Sequence, residues 1–202
     1  MITPEIQRVA WELEAPGYAV TSYDALGLEL NLLKVTQLMN MVAVDPGSEE
    51  ALKVVKHIVK NDMAIVQDPV CLALAAEIIA PPTDLLFAHA VDAGDEDKWS
   101  LFGINKYRAG GKFGPHVDKV GKSVLVITLA GERSFDICEK IPDETQADGF
   151  SFGEVLDNFV LNEGSILVLD READPGHAVA EALTDGVVAV ADALGIIRLP
   201  RP

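Results

Sequence analysis

The chain has 202 residues, 49% hydrophobic and 6% aromatic, which suits one domain with a full-sized core and leaves little room for a second. Its formal charge of −16, from 32 acidic and 16 basic residues with no basic run, argues against a surface that grips nucleic acid. No apolar run approaches the ~20 residues of a membrane span, and Met1-Ile2-Thr3-Pro4-Glu5 lacks the basic start of a secretory leader.

Taken in chain order, the first 80 residues carry helical signals. An amphipathic segment begins near Pro4, and others cover 28–43 and 48–60. A fourth runs over 69–79, with Asp68 as N-cap, Pro69 as first helical residue and Pro81-Pro82 as its end. Beyond about residue 84 the runs become short and apolar or alternating: Leu85–Val91, Trp99–Tyr107, Ser123–Leu129, Phe135–Cys138, Ser165–Leu169, Val187–Ala191 and Ile196–Leu199. Gly, Pro, Asp and Asn separate them, as turns require. The pattern predicts a single α+β domain over 1–202, with 1–82 a mainly helical support and 83–202 an antiparallel barrel or double sheet.

Cys71 and Cys138 are too few for a disulfide framework and read as reduced core residues of a cytoplasmic protein. The acidic stretch Asp92 to Asp97 reads first as a solvated loop, and second as a weak field favouring cationic substrates. The segment Ile141 to Ser151 is either a lid or a plain connection between strands.

Of the four histidines, His57 falls in a helical segment and His89 on a strand without an acid or cysteine at ligand spacing, so both read as structural. His116 stands in Pro115-His116-Val117-Asp118. On a strand, residues two apart share a face, so an imidazole and a carboxylate come side by side, as a divalent metal requires. Two histidines and one carboxylate form a facial triad with three open positions on iron(II). His177 is the candidate third donor, since it follows the buried-strand run Ser165–Leu169 and sits in a Pro175-Gly176 turn.

The residues leading into His116 read Ile104-Asn105-Lys106-Tyr107-Arg108-Ala109-Gly110-Gly111-Lys112-Phe113-Gly114-Pro115. This stretch resembles the 2-oxoglutarate- and iron(II)-dependent oxygenases, especially those related to AlkB demethylases and prolyl 4-hydroxylases. There an Asn-x-Tyr-x-x-Gly stretch leads into His-x-Asp. Asn162-Glu163-Gly164-Ser165-Ile166-Leu167 looks like the strand that precedes the family's distal histidine. The resemblance covers about residues 100 to 199 and implies a double-stranded β-helix core, buttressed here by the N-terminal helices. It also implies iron(II) on His116, Asp118 and His177, with Asn105 and Tyr107 lining a 2-oxoglutarate pocket. Tyr107 has an independent rationale, because its phenol shares a strand face with Asn105 and can donate to a carboxylate. The family takes the cosubstrate's distal carboxylate with a basic residue on the strand after the distal histidine. Val187–Ala191 is aliphatic, and Arg198 is the one basic residue of strand-like context there. Arg198 is therefore assigned that carboxylate.

The resemblance implies an enzyme that consumes 2-oxoglutarate and O2 to hydroxylate a substrate. A small molecule such as an amino acid or biosynthetic intermediate, possibly cationic, is expected first and a peptide or protein side chain second. Nucleic-acid demethylation conflicts with the acidic charge. A non-catalytic binding module on the same fold is the reading from a different class. Nothing in the residues indicates the oligomeric state.

Overall fold

A computed structural model describes residues 2–42, 63–88, 99–117, 122–147, 149–170 and 176–193, and the backbone alone of 55–59, 90–91 and 196–197. Helix α1 (Pro4–Glu14) is opened by Thr3, whose hydroxyl accepts from the Ile6 amide, with Pro4 in the first turn where a missing N–H costs nothing. Helix α2 (Leu32–Met41) starts later than its apolar pattern suggests, at the cap Asn31, whose side chain accepts from the Lys34 amide. Helix α3 (Pro69–Phe87) is capped by Asp68, which accepts from the amides of Val70 and Cys71.

The sequence expectation that Pro81-Pro82 ends this last helix is overturned. Both prolines lie inside α3. Pro82 deprives the Ile78 carbonyl of its helical donor, and the buried Tyr23 hydroxyl supplies a donor instead, at 2.9 Å. The Thr83 hydroxyl returns to the Ile79 carbonyl at 2.7 Å. With those acceptors satisfied the helix runs on through Leu85, which the sequence pattern had placed on a strand; only Ala90–Val91 of that run is extended. At 19 residues α3 is long and apolar enough to cross a membrane by length and composition, contrary to the sequence reading. Its Ile79, Leu86 and Phe87 are wholly enclosed by the rest of the protein, as in the core helix of a globular domain.

Among the described residues thirteen strands form two antiparallel sheets, of seven and four strands, and one separate pair. In chain order they are β1 (Tyr18–Ser22), β2 (Val55–Val59), β3 (Met63–Val66), β4 (Ala90–Val91), β5 (Trp99–Tyr107), β6 (Phe113–His116), β7 (Ser123–Ala130), β8 (Arg133–Pro142), β9 (Phe150–Leu161), β10 (Ser165–Asp170), β11 (Gly176–Ala182), β12 (Gly186–Ala193) and β13 (Ile196–Ile197). The major sheet has the order β1-β10-β7-β12-β5-β3-β2 and the minor sheet β6-β11-β8-β9, while β4 and β13 pair with each other. Two facing sheets of this order, closed by helices on one side, form the jelly-roll, or double-stranded β-helix, core expected from the sequence.

Segment 48–60 was read as a helix. Residues 55–59 of it are strand β2, paired with β3; the remainder lies outside the described residues. The run Val54-Val55-Lys56-His57-Ile58-Val59 is short and apolar, and such runs do not distinguish helix from strand by periodicity. The first 66 residues thus contribute β1, β2 and β3 to the major sheet, beyond their helical support.

The major sheet is buried on both faces, which explains its continuous apolar runs. On β7, Leu125, Ile127 and Leu129 face the helices, where Ile6, Leu13, Leu38, Ile79 and Phe87 complete one core. Val124 and Val126 face the minor sheet, where Phe135, Ile137, Leu161, Leu167 and Val179 complete a second. Cys71 and Cys138 are buried free thiols. The space between the sheets is open at one end, and the histidines stand there.

Candidate active site

His116 is the last residue of β6 and His177 the second of β11, and the two are direct partners across the antiparallel pair. Their ring centroids are 4.3 Å apart with planes tilted by 57°. Each imidazole is held by an aromatic neighbour. Phe113 meets His116 edge-on at 4.4 Å, and Phe135 stacks on His177 at 5.7 Å with a 12° angle between planes. His116 Nδ1 lies 2.9 Å from the Gly114 carbonyl oxygen. A proton on Nδ1 donates to that carbonyl and makes Nε2 the lone-pair nitrogen, the arrangement that orients a metal-binding histidine. His177 is buried; His116 is partly exposed.

The backbone beside His177 is tightly constrained. A Cβ on Gly176 would lie 2.7 Å from two ring atoms of Phe152 and 3.1 Å from the Cys138 carbonyl oxygen. Only glycine lets β11 approach β8 and the Phe152 ring this closely.

His116 stands between two cavities. The deeper, of about 140 Å³, lies between the sheets and is lined by Asn105, Tyr107, Phe135, Val179 and both histidines. The wider, of about 540 Å³, opens outward and is lined by Pro115, His116, Gln146, Phe150 and Phe152. Asn105 and Tyr107 therefore share the inner face expected of them, beside the histidine pair. The segment from Ile141 to Ser151 proves shorter as a loop than its sequence suggests, because β8 runs to Pro142 and β9 begins at Phe150. Its tip is folded by the Asp143 carboxylate accepting from the Thr145 amide and hydroxyl, and Gln146 turns towards the wider cavity.

Asp118 and Arg198 lie outside the described residues, as do His89 and Asp92 to Asp97. His57 is placed by its backbone on β2, at one edge of the major sheet, rather than on the helix its sequence suggested. Among the described residues no third His, Cys, Asp or Glu joins the histidine pair in a metal-binding group.

One residue of this region escaped the sequence reading. Arg133, the first residue of β8, is 3% exposed, and its Nε and Nη2 have no hydrogen-bond partner among the described residues. Its Cζ lies 6.0 Å from the centroid of the Tyr107 ring, which itself lines the inner cavity. Burial brings the guanidinium down to about 10, opposed by the Tyr107 phenol. On β7, the buried Thr128 hydroxyl also has no partner among the described residues. Thr128 shares its strand face with Val124 and Val126, so it points between the sheets. On β12, Val188 and Val190 fill the inner face with aliphatic groups. The sequence signal for Arg133 was its alternation with Phe135 and Ile137, which sets a cation on the core-facing side of a strand.

No protein-family model and no curated protein matches the chain. Solved structures do. A prolyl-4-hydroxylase from Pseudomonas putida superposes with a TM-score of 0.55 at 15% identity, covering 96% of this chain and 100% of that one. A prolyl hydroxylase from Trichoplax adhaerens, in complex with a hypoxia inducible factor oxygen degradation domain peptide fragment, gives 0.57 at 10% identity, with 92% and 87% covered. An oxidoreductase of the 2OG-Fe(II) oxygenase family from Burkholderia pseudomallei gives 0.52 at 12% identity, with 97% and 94% covered. The chain has the fold of the 2-oxoglutarate/iron(II) oxygenases along almost its whole length. At these identities the likeness is one of fold.

Proposed function

We propose that this chain is an iron(II)- and 2-oxoglutarate-dependent dioxygenase of the cytoplasm that hydroxylates a small molecule, such as an amino acid or a biosynthetic intermediate. The observation that carries the reading is the His116–His177 pair, set across a strand pairing at the junction of a small inner cavity and a wider outer one. Two imidazoles at 4.3 Å, one with its Nδ1 directed to a backbone carbonyl, are a donor set that fits a divalent first-row metal. Asp118, two residues after His116, would supply the carboxylate, so His116, Asp118 and His177 would hold the iron. When bound, iron(II) with 2-oxoglutarate and O2 supplies oxidation of an unactivated C–H bond, coupled to conversion of the cosubstrate to succinate and carbon dioxide.

The chain's own residues supply position and dryness. Phe113 and Phe135 wall the imidazoles and keep water from their flanks. Asn105 and Tyr107 serve the inner cavity, whose size suits a small acid. The outer cavity, at about 540 Å³, lies within the ~300–1,000 Å³ usual for small-molecule sites, and Phe150, Phe152 and Gln146 would orient the substrate there. The charge of −16 opposes a polyanionic substrate and is compatible with a cationic one. A peptide side chain entering the same cavity is the second choice.

Anaerobic titration of metal-free protein with iron(II) and then 2-oxoglutarate tests this. Wild type is expected to develop the weak visible charge-transfer band of the chelate, and His116→Ala to lack it. A folded wild type without the band defeats the cosubstrate assignment and leaves a non-catalytic binding module. Substrate classes are then ranked by stimulation of succinate release; methylated oligonucleotides ranking first would refute the charge argument.

A further inference from the structure

We propose that the outer cavity selects its substrate by a neutral, planar ring, which stacks in the corner between Phe150 and Phe152 beside His116. That such a ring-bearing molecule is then oxidised rests on the function proposed above; that the ring binds there does not.

The corner is built on an overhanging arm. Strand β11 accompanies β8 only as far as Cys138, whereas β8 and β9 stay paired out to Pro142 and Phe150. Two register shifts mark the base of this extension, on either side of Cys138. Phe150 and Phe152 stand two apart on the arm, so they share a face, and both line the cavity that reaches His116. Their ring centroids are 5.5 Å apart with planes at 81°. Two rings set edge to face leave a right-angled recess. A third flat ring laid on one of them meets the edge of the other, and the quadrupoles favour both contacts. A saturated ring gains contact area there and neither of those terms. The recess is also close to the histidines. The Phe152 ring is seated on the backbone of Gly176, the residue before His177.

Charge decides between a neutral ring and a cation, which an aromatic corner could also hold. Lys140, opposite Phe152 in the register, places its ammonium 4.7 Å from the Phe150 centroid. A cationic ligand on that ring would therefore meet like charge. Glu139 offers no compensation, because it lies with Ile141 against Gly153 on the other face of the arm. Among the described residues lining the cavity there is no carboxylate, and Gln146 and Ser151 are its neutral polar groups. The acidity of the chain as a whole is thus not focused on this wall. A ring bearing a hydroxyl or carbonyl, which the Gln146 amide can bond, fits both the lining and the volume of about 540 Å³.

The experiment titrates metal-free protein with 2-naphthalenemethanol, its saturated decahydro counterpart and cationic 2-naphthylmethylamine. Calorimetry is expected to show wild type binding the naphthyl alcohol roughly 3–10-fold tighter than either of the others, the scale of an aromatic pair. In Phe150→Leu and in Phe152→Leu the ratio of the two alcohols should fall close to one with the decahydro alcohol little changed, which also shows that the cavity is intact. Lys140→Met should relieve the discrimination against the amine. Equal binding of the two alcohols by wild type, preference for the amine, or no binding of any probe overturns the proposal. So does a ratio that survives both leucine substitutions, or a loss of both alcohols alike in those variants. The iron(II) titration separates this from the dioxygenase reading. Absence of the chelate band in a protein that still discriminates the probes defeats only the dioxygenase, and a band without discrimination defeats only the ring site.

Discussion

The Tyr23 hydroxyl donates to the Ile78 carbonyl at 2.9 Å, and that carbonyl is the acceptor Pro82 leaves without its helical N–H. The bond ties the segment after β1 to the middle of α3 inside the core. Burial pushes the Tyr23 phenol up, so it remains a neutral donor across the physiological range. Tyr23→Phe leaves a buried carbonyl unpaired and is expected to cost about 1–3 kcal/mol. In a Pro82→Ala background the restored backbone N–H takes over the acceptor, and the same substitution should cost much less. Urea unfolding of the four proteins measures the coupling. Simple additivity would show that the two residues do not share the carbonyl.

Metal should stabilise the fold through the histidine pair. A ligand that binds only the native state at 100 times its dissociation constant adds about 2.7 kcal/mol. Cobalt(II), redox-quiet in air, is expected to raise the melting temperature of wild type, and EDTA to reverse the gain. His177→Ala should melt at the same temperature with cobalt(II) or EDTA. A full cobalt(II) shift in that variant would mean that metal binds elsewhere.

Sequence reading reached different depths in different parts of this fold. The runs Ser123–Leu129 and Ser165–Leu169 were legible as strands because the major sheet is covered on both faces, and burial on both faces writes itself as unbroken apolar sequence. Strand β9 was missed. Along its exposed edge Val155, Leu156 and Val160 alternate with nothing that a local window recognises. The continuation of α3 past Pro81 depends on Tyr23, some 55 residues away in the chain, and no local signal encodes that. At the site, the two-residue spacing singled out His116, which the structure sets across a strand pairing from His177. Arg133 was not legible. It follows Gly131-Glu132, where a charge reads as a hairpin tip. Its enclosure comes from register with Leu161 on β9 and Ala182 on β11. The turn itself demands glycine: Gly131 has φ 83°, and a Cβ there would lie 2.5 Å from the Asp185 carbonyl oxygen.

Acid stability should depend on Glu5. Its carboxylate accepts from the Arg8 guanidinium at 2.6 Å and from the Thr21 hydroxyl at 2.5 Å, joining α1 to β1. The Arg8 hydrogen bond, then that of Thr21 and the Arg8 charge, outweigh burial and hold the carboxyl below its usual 4.5. A depressed carboxylate contributes its full stability above the unfolded value and loses it as pH falls through the folded one. Glu5→Gln should therefore be less stable than wild type at pH 6, with the gap closing below pH ~4.5. Arg8 is about two-fifths exposed, so the gap should be no more than about 1 kcal/mol. Denaturant midpoints at pH 6 and pH 3 check it; a gap that widens in acid reverses the sign and the explanation.

Gly176 connects packing to the metal site. A side chain there meets the Phe152 ring at 2.7 Å and the Cys138 carbonyl at 3.1 Å, and the next residue is His177. The ring can move outward, towards the wider cavity it lines, but the carbonyl belongs to the paired strand β8. Gly176→Ala is expected to cost about 1–3 kcal/mol through overpacking. It should also displace His177 from its partner across the pairing and weaken cobalt(II) binding. Phe152→Leu removes the bulkier obstacle, so adding it to Gly176→Ala should restore part of the stability, while the carbonyl contact keeps metal affinity below wild type. Calorimetric cobalt(II) titration of the single and double variants separates the two effects. Full recovery of both by Phe152→Leu would assign the whole constraint to the ring and none to the β8–β11 backbone.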